Sequence, residues 1–190
     1  SRAHRASILG EDLGTVDPHF RAAMQARGML GMEVLWFQRD GRRFLDAAHW
    51  SPFGAALTTT HDLPTVAGWW MGRDIDWLER LGRRAEFGDI PSERRARDED
   101  RAHLWSVIGS GPMPPPGAPA PVVEAAFAFV GGTPCPLAMV SAEDVLNLPE
   151  QPNMPGTINE HPNWKRRLPV RDIFEPGRVN IAALLRGRAP

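Results

Sequence analysis

Four short apolar runs constrain the fold of this chain more than any other feature. They lie at Ser7 to Glu11, Met32 to Phe37, Ala55 to Thr60 and Pro136 to Val140. Runs this short, and continuously apolar rather than alternating, fit a parallel sheet buried on both faces, with the intervening stretches as crossovers. Such sheets carry their chemistry just past the C-terminal ends of the strands. In this sequence those positions hold Glu11 and Asp12, His61 and Asp62, and Glu143 and Asp144. The predicted class is α/β.

The connections carry their own signals. Asp17-Pro18 has the residues of an N-cap and a first helical position, Phe20, Ala23, Met24 and Arg27 follow at helical spacing, and Gly28 can end the helix. The polar stretch QRDGRR leads into a loop through His49, Trp50, Ser51 and Pro52. A helix with Pro64 in its first turn is predicted to carry Val66, Trp69 and Trp70. From Asp74 to about Ile108 the pattern is helical and amphipathic. Its charged stretch PSERRARDEDR mixes both signs, with Glu93 four residues before Arg97, and reads as a solvated face. GPMPPPGAPAP at 111–121 is an exposed connection, VVEAAFAFV a helix closed by Gly131 and Gly132, and a last short helix is expected around Ile181 to Leu185.

Composition excludes several functions. The chain has 190 residues, 42% of them hydrophobic, enough for a core. Its 22 basic and 23 acidic side chains nearly cancel, so neither nucleic acid nor a membrane is an expected partner. No apolar run approaches the roughly 20 residues that span a bilayer. With a single cysteine, Cys135, and no signal-peptide pattern, the expected compartment is the cytoplasm. SRAHRAS lacks an initiator methionine and runs straight into a strand, so a piece of a longer protein is expected.

The candidate chemistries can be weighed on residue types. The six histidines, at 4, 19, 49, 61, 103 and 161, show no metal-ligand spacing, and no metal or other cofactor is expected. There is no G-x-S-x-G turn, and Cys135 lies between prolines as a structural thiol. Glycoside chemistry needs carboxyl groups on both sides of a sugar ring, and Glu11 and Asp62 have the right types at plausible positions. Taken alone, Glu11-Asp12 also fits a pair of acids stabilised by a helix dipole, and His61-Asp62 fits a capping turn.

The ordered set ILGEDLG, GMLGMEVLWF, TTTHDLPTVAGWW and NMPGTINEHPNWKRRL resembles the amylomaltases, the 4-α-glucanotransferases of glycoside hydrolase family 77. The resemblance covers about Ile8 to Leu168 and implies a (β/α)₈ TIM-type barrel with helical insertions. Residues 1–190 would be the C-terminal half of that one catalytic domain, about strands five to eight, interrupted by the connection at 111–121. Carried over residue by residue, Glu11 is the general acid/base. Asp62 stabilises the transition state by holding sugar hydroxyls, with His61 beside it. Asp12 reaches substrate or orients Glu11, and Asn153 is a further sugar-site candidate. The family's nucleophile, an aspartate in an R-x-D motif upstream of EDLG, has no counterpart, since R-x-D occurs nowhere in the chain.

The implied reaction is a retaining transfer of α-1,4-glucan segments from a maltodextrin donor to a glucose or glucan acceptor. Lacking the nucleophile, the chain alone is expected to be inactive. A non-catalytic carbohydrate-binding unit and an α-amylase-type hydrolase are the alternatives. Aromatic platforms for sugar are sought among Trp36, Trp50, Trp69, Trp70 and Trp164, although buried tryptophans are more often core. Half a barrel has two unpaired strand edges, so self-association, or coverage of those edges by the chain's own loops, is also expected.

Overall fold

A computed structural model describes residue 4, residues 6–84, residue 86 and residues 88–169. The helix expected around Ile181 to Leu185 lies outside the described residues. The central feature is a parallel sheet of β1 (Gly31–Val34), β4 (Gly54–Leu57) and β5 (Leu137–Met139), in the order β1-β4-β5. The first predicted strand contributes one parallel bridge, Leu9 to Leu30, with Gly10 N–H donating to Leu30 O at 2.9 Å. All four apolar runs therefore lie side by side, parallel and in chain order, with their C-terminal ends on one side.

Register explains the small residues of β4. Glu33 on β1 stands opposite Ala56, and Gly31 opposite Gly54. A Cβ on Gly54 would lie 2.4 Å from Glu33 Cγ, so only glycine lets the Glu33 side chain cross its neighbour there. The run predicted as a strand to Phe37 stops at Val34 and turns into a 3-10 helix, Leu35–Phe37. QRDGRR is a hairpin of β2 (Arg39–Asp40) and β3 (Arg43–Phe44), turned at Gly41 with φ 58°.

The helices follow their caps. Asp17 Oδ1 accepts from His19 N–H at 2.7 Å to start α1 (Pro18–Ala26). Thr65, rather than Pro64, opens α2 (Val66–Met71), its hydroxyl accepting from Gly68 N–H at 2.9 Å. α3 (Arg73–Arg80), α4 (Ile90–Ile108) and α5 (Ala120–Gly131) follow, then α6 (Ala142–Val145) after β5. Of the tryptophans proposed as platforms, Trp36, Trp50, Trp69 and Trp70 are buried. Trp36 stacks on Trp69 with centroids 4.8 Å apart, and Trp50 meets Phe129 edge-on at 5.8 Å. These four belong to the hydrophobic core.

Only one side of the charged stretch of α4 is a solvated face, carrying the exposed Arg94, Arg95, Asp98 and Glu99; the other side is buried. Glu93, Arg97, Asp100 and Arg101 are each at most 8% exposed. α2 ends at Met71, so its last carbonyls lack i+4 partners, although the Gly72 N–H of the cap reaches Trp69 O at 3.2 Å. Arg97 Nη1 donates to Trp69 O at 2.7 Å and Arg101 Nε to Trp70 O at 2.6 Å, one helical turn apart on α4. Arg97 also forms a two-pronged pair with Asp74, at 2.9 and 2.6 Å. Asp100 holds Arg39 and Arg42 of the hairpin, at 3.1 and 2.8 Å. The expected i,i+4 pairing is replaced by tertiary pairing, because backbone carbonyls and arginines elsewhere needed these partners. The connection at 111–121 is likewise tied down, Pro115 O accepting from Trp70 Nε1 at 3.2 Å and Gly111 O from Trp105 Nε1 at 3.0 Å.

Candidate active site

The expected site residues fall at the C-terminal side of the sheet, and the structure sorts them. Glu11, His61 and Asp62 line one open cleft of about 250 Å³, together with Met32, Phe37 and Thr60. Glu11 follows the Leu9 bridge directly, and Asp62 stands in the loop between β4 and α2. The Glu11 side chain is exposed and makes no hydrogen bond or ion pair among the described residues.

Asp62 is held from one side. Asn153 Nδ2 donates to Asp62 Oδ1 at 2.6 Å, and His61 Nε2 lies 3.5 Å from the same oxygen. No hydrogen bond from the described residues engages Oδ2, which leaves that oxygen for a hydroxyl donor. Asn153 is itself fixed, its N–H donating to His61 O at 3.2 Å. Sequence reasoning missed Gln151, which is 5% exposed and whose Nε2 donates to both Asp62 O, at 3.3 Å, and Asn153 O, at 2.6 Å.

The loop that presents Asn153 owes its shape to Asn163. The Asn163 carboxamide accepts from Met154 N–H at 2.9 Å and donates to Thr157 O and Oγ1, at 3.1 and 2.8 Å. Arg83 reaches Pro155 O and Gly156 O at 2.8 and 2.7 Å. At the root of the loop, Glu150 pairs with Arg73 and accepts from Trp77 Nε1 at 2.8 Å. Burial pushes the Glu150 carboxyl up, but the indole and the guanidinium outweigh it and hold the group below the usual carboxylate range. The spacing of asparagines in NMPGTINEHPN is thus the spacing of a folded loop.

Trp164 differs from the other candidate tryptophans. It is 65% exposed, its φ is 58°, and its ring centroid lies 5.3 Å from that of His61. A bulky residue in the left-handed region is strained, and strain of this kind collects at functional sites. Phe37, 51% exposed at the cleft wall, adds a second apolar face that sequence reasoning did not single out.

Asp12 lies elsewhere. Its Oδ1 accepts from Met32 N–H at 2.8 Å, its Oδ2 pairs with Arg21 at 3.2 Å, and it lines a neighbouring cavity of about 460 Å³ with Glu33. Burial, then the Asp12 charge, raise the Glu33 pKa. Asp12 thus pins the segment carrying Glu11 to the backbone of β1. Among the described residues no group of three or more His, Cys, Asp or Glu is placed to hold a metal, and no helix is long and apolar enough to cross a membrane.

Fold and site together define a class: α/β proteins with an open, carboxylate-bearing cleft at the C-terminal ends of parallel strands. The profile of the 4-alpha-glucanotransferase family, glycoside hydrolase family 77, matches residues 1–172, and the chain belongs to that family. It is 34% identical over 173 residues to the 4-alpha-glucanotransferase of Mycobacterium tuberculosis, covering 86% of this chain and 24% of the relative. With the Haemophilus influenzae 4-alpha-glucanotransferase it shares 26% identity over 179 residues, covering 88% of this chain and 25% of that one. The amylomaltase of Corynebacterium glutamicum superposes with a TM-score of 0.69 at 28% identity, over 84% of this chain and 24% of that structure. The amylomaltase of Streptococcus agalactiae in complex with acarbose has the same fold, with a TM-score of 0.64 at 20% identity, over 94% of this chain and 30% of that structure. The chain therefore spans about a quarter of the length of the curated relatives it matches.

Proposed function

We propose that the chain is the C-terminal half, about strands five to eight, of the catalytic (β/α)₈ barrel of a cytoplasmic 4-α-glucanotransferase. The observation that carries this reading is the meeting of Glu11, His61 and Asp62 in one cleft, with Asn153 bonded to Asp62. The parallel strands in chain order support it, as does the exposed Glu11 carboxyl at the cleft.

In the whole enzyme an aspartate from polypeptide upstream of Glu11 attacks the anomeric carbon of an α-1,4-glucan, forming a C–O bond to the carboxylate as the glycosidic C–O bond breaks. Glu11 donates its proton to the departing 4-oxygen. The acceptor's 4-hydroxyl then attacks the same carbon from the opposite side to the enzyme ester and returns its proton to Glu11. Two inversions keep the α configuration. Asp62 Oδ2 accepts from ring hydroxyls, and this bond strengthens as the ring flattens, stabilising the transition state more than the substrate. Asn153 and His61 hold Oδ1 and so fix which oxygen faces the sugar. Trp164 and Phe37 offer apolar faces on which an acceptor ring displaces water, favouring transfer over hydrolysis.

The test is the product pattern of the full-length protein on maltotriose. Glucose and longer dextrins should accumulate at constant reducing-end concentration. A steady rise in reducing ends would identify a hydrolase, and no turnover would favour a carbohydrate-binding unit.

A further inference from the structure

We propose that Asp144 is a positioning residue that sets the loop carrying His61 and Asp62. It is fully buried in the first turn of α6, directly after β5, and belongs to a different strand-helix unit from the loop it holds. Asp144 Oδ2 accepts from Thr58 Oγ1 at 2.6 Å, and Oδ1 accepts from Val66 N–H at 2.7 Å. Thr58 precedes Asp62 by four residues and Val66 follows it by four. One carboxylate therefore closes both ends of the loop whose tip presents Asp62 to the cleft.

The surroundings leave that closure as the part the carboxylate plays. Thr58 and Thr65 are fully buried, Thr58 N–H extends the ladder to Met139 O at 3.3 Å, and Thr65 Oγ1 donates to Leu148 O at 2.7 Å. Asp144 is fixed in turn by its own N–H, which donates to Ser141 Oγ at 3.0 Å. A buried carboxylate is costly, and an apolar side chain would fill the same space without that cost. What an apolar side chain lacks is two acceptors facing a hydroxyl on one strand end and an N–H on the next helix. With both engaged, the loop base is rigid and Asp62 needs only its contacts to Asn153 and His61 to hold its direction. An error of about 1 Å in a group that must meet a flattening sugar ring is enough to cost orders of magnitude in rate.

This proposal rests on the reading of Asp62 given above, and the experiment separates the two. In the full-length protein, kcat and KM for maltotriose are measured for the wild type, D144A, D144N, T58V and D62N, with near-ultraviolet circular dichroism to establish folding. D144A is expected to lower kcat about tenfold or more while KM moves less than about threefold, the pattern of lost transition-state contact. D144N is expected to stay within about threefold of wild-type kcat, because its oxygen can accept from Val66 N–H and its NH₂ can donate to Thr58 Oγ1. A folded D144A with wild-type kcat would overturn the proposal, as would a D144N as impaired as D144A. If D144A does not fold, T58V decides: it removes one arm alone, and wild-type kcat in T58V would overturn the proposal. A D62N protein with wild-type kcat would refute the functional reading instead, whereas a dead D62N beside unaffected D144A and T58V would refute only the positioning.

Discussion

Replacing Arg97 with alanine tests whether the charged stretch of α4 is structural. The Arg97 side chain is 9% exposed, and its guanidinium donates twice to Asp74, caps Trp69 O at the end of α2, and lies 4.4 Å over the Trp69 ring. Alanine would leave the Asp74 carboxylate and a buried carbonyl without these donors. Breaking one side of a buried, hydrogen-bonded charge pair costs about 3–5 kcal/mol. Asp74 is itself 20% exposed, so water recovers part of the loss and about 3 kcal/mol is expected. A solvated i,i+4 pair would instead contribute about 0.3–0.5 kcal/mol. Urea unfolding followed by tryptophan fluorescence measures the difference, with Trp36, Trp69 and Trp70 as reporters in the core. R97K should recover only part of the loss, because an ammonium cannot make the two-pronged contact. A loss for R97A below about 0.5 kcal/mol would refute the buried-network assignment.

Asp144 should also leave a mark on the pH dependence of stability. Burial raises its pKa from the ordinary 3.8 to about 6, against the lowering effect of Thr58, Val66 and Ser141. The folded state therefore takes up this proton before the unfolded state as pH falls, so the destabilising contribution is full above pH 6 and disappears below about pH 4. At about 1.4 kcal/mol per pKa unit, unfolding free energies of wild type and D144N should change by about 2 kcal/mol relative to each other between pH 4 and 7. Parallel pH profiles would contradict this. W164A should raise KM for maltodextrins about tenfold with a smaller change in kcat, from the roughly 1–1.5 kcal/mol of an aromatic contact; unchanged kinetics would remove Trp164 from the site. Unless the chain's own loops cover them, the outer edges, bearing Ile8 at 45% exposure and Met139 at 44%, should drive the 190-residue chain to self-associate in sedimentation velocity, and a monodisperse monomer whose edge amides exchange freely with solvent would contradict that expectation.

The sheet was legible because strands buried on both faces leave continuous apolar runs, and the carboxylates were legible because they follow those runs directly. Asp17 and the paired glycines after Val130 announced their helix ends by chemistry that acts within a few residues. Long-range demands were not legible. Nothing local to α4 says that Arg97 and Arg101 must cap α2, and nothing local to Asp144 says that Thr58 and Val66 need its oxygens. Asn153 came from the resemblance and Trp164 was one of five candidate tryptophans, whereas Gln151 and Asn163 emerge only when the loop is folded, because most of their partners are backbone groups that no residue identity reveals.

The central claim is that Glu11 is the proton donor and acceptor of a retaining transfer. The most direct measurement is intact mass spectrometry of full-length E11Q after exposure to an α-maltosyl fluoride, whose leaving group needs no proton. With the first step allowed and the base of the second removed, a covalent glycosyl-enzyme should accumulate, and its mass should fall on a peptide outside these 190 residues. Wild-type turnover of maltotriose by E11Q, or an adduct on Glu11 in the unsubstituted enzyme, would contradict the assignment.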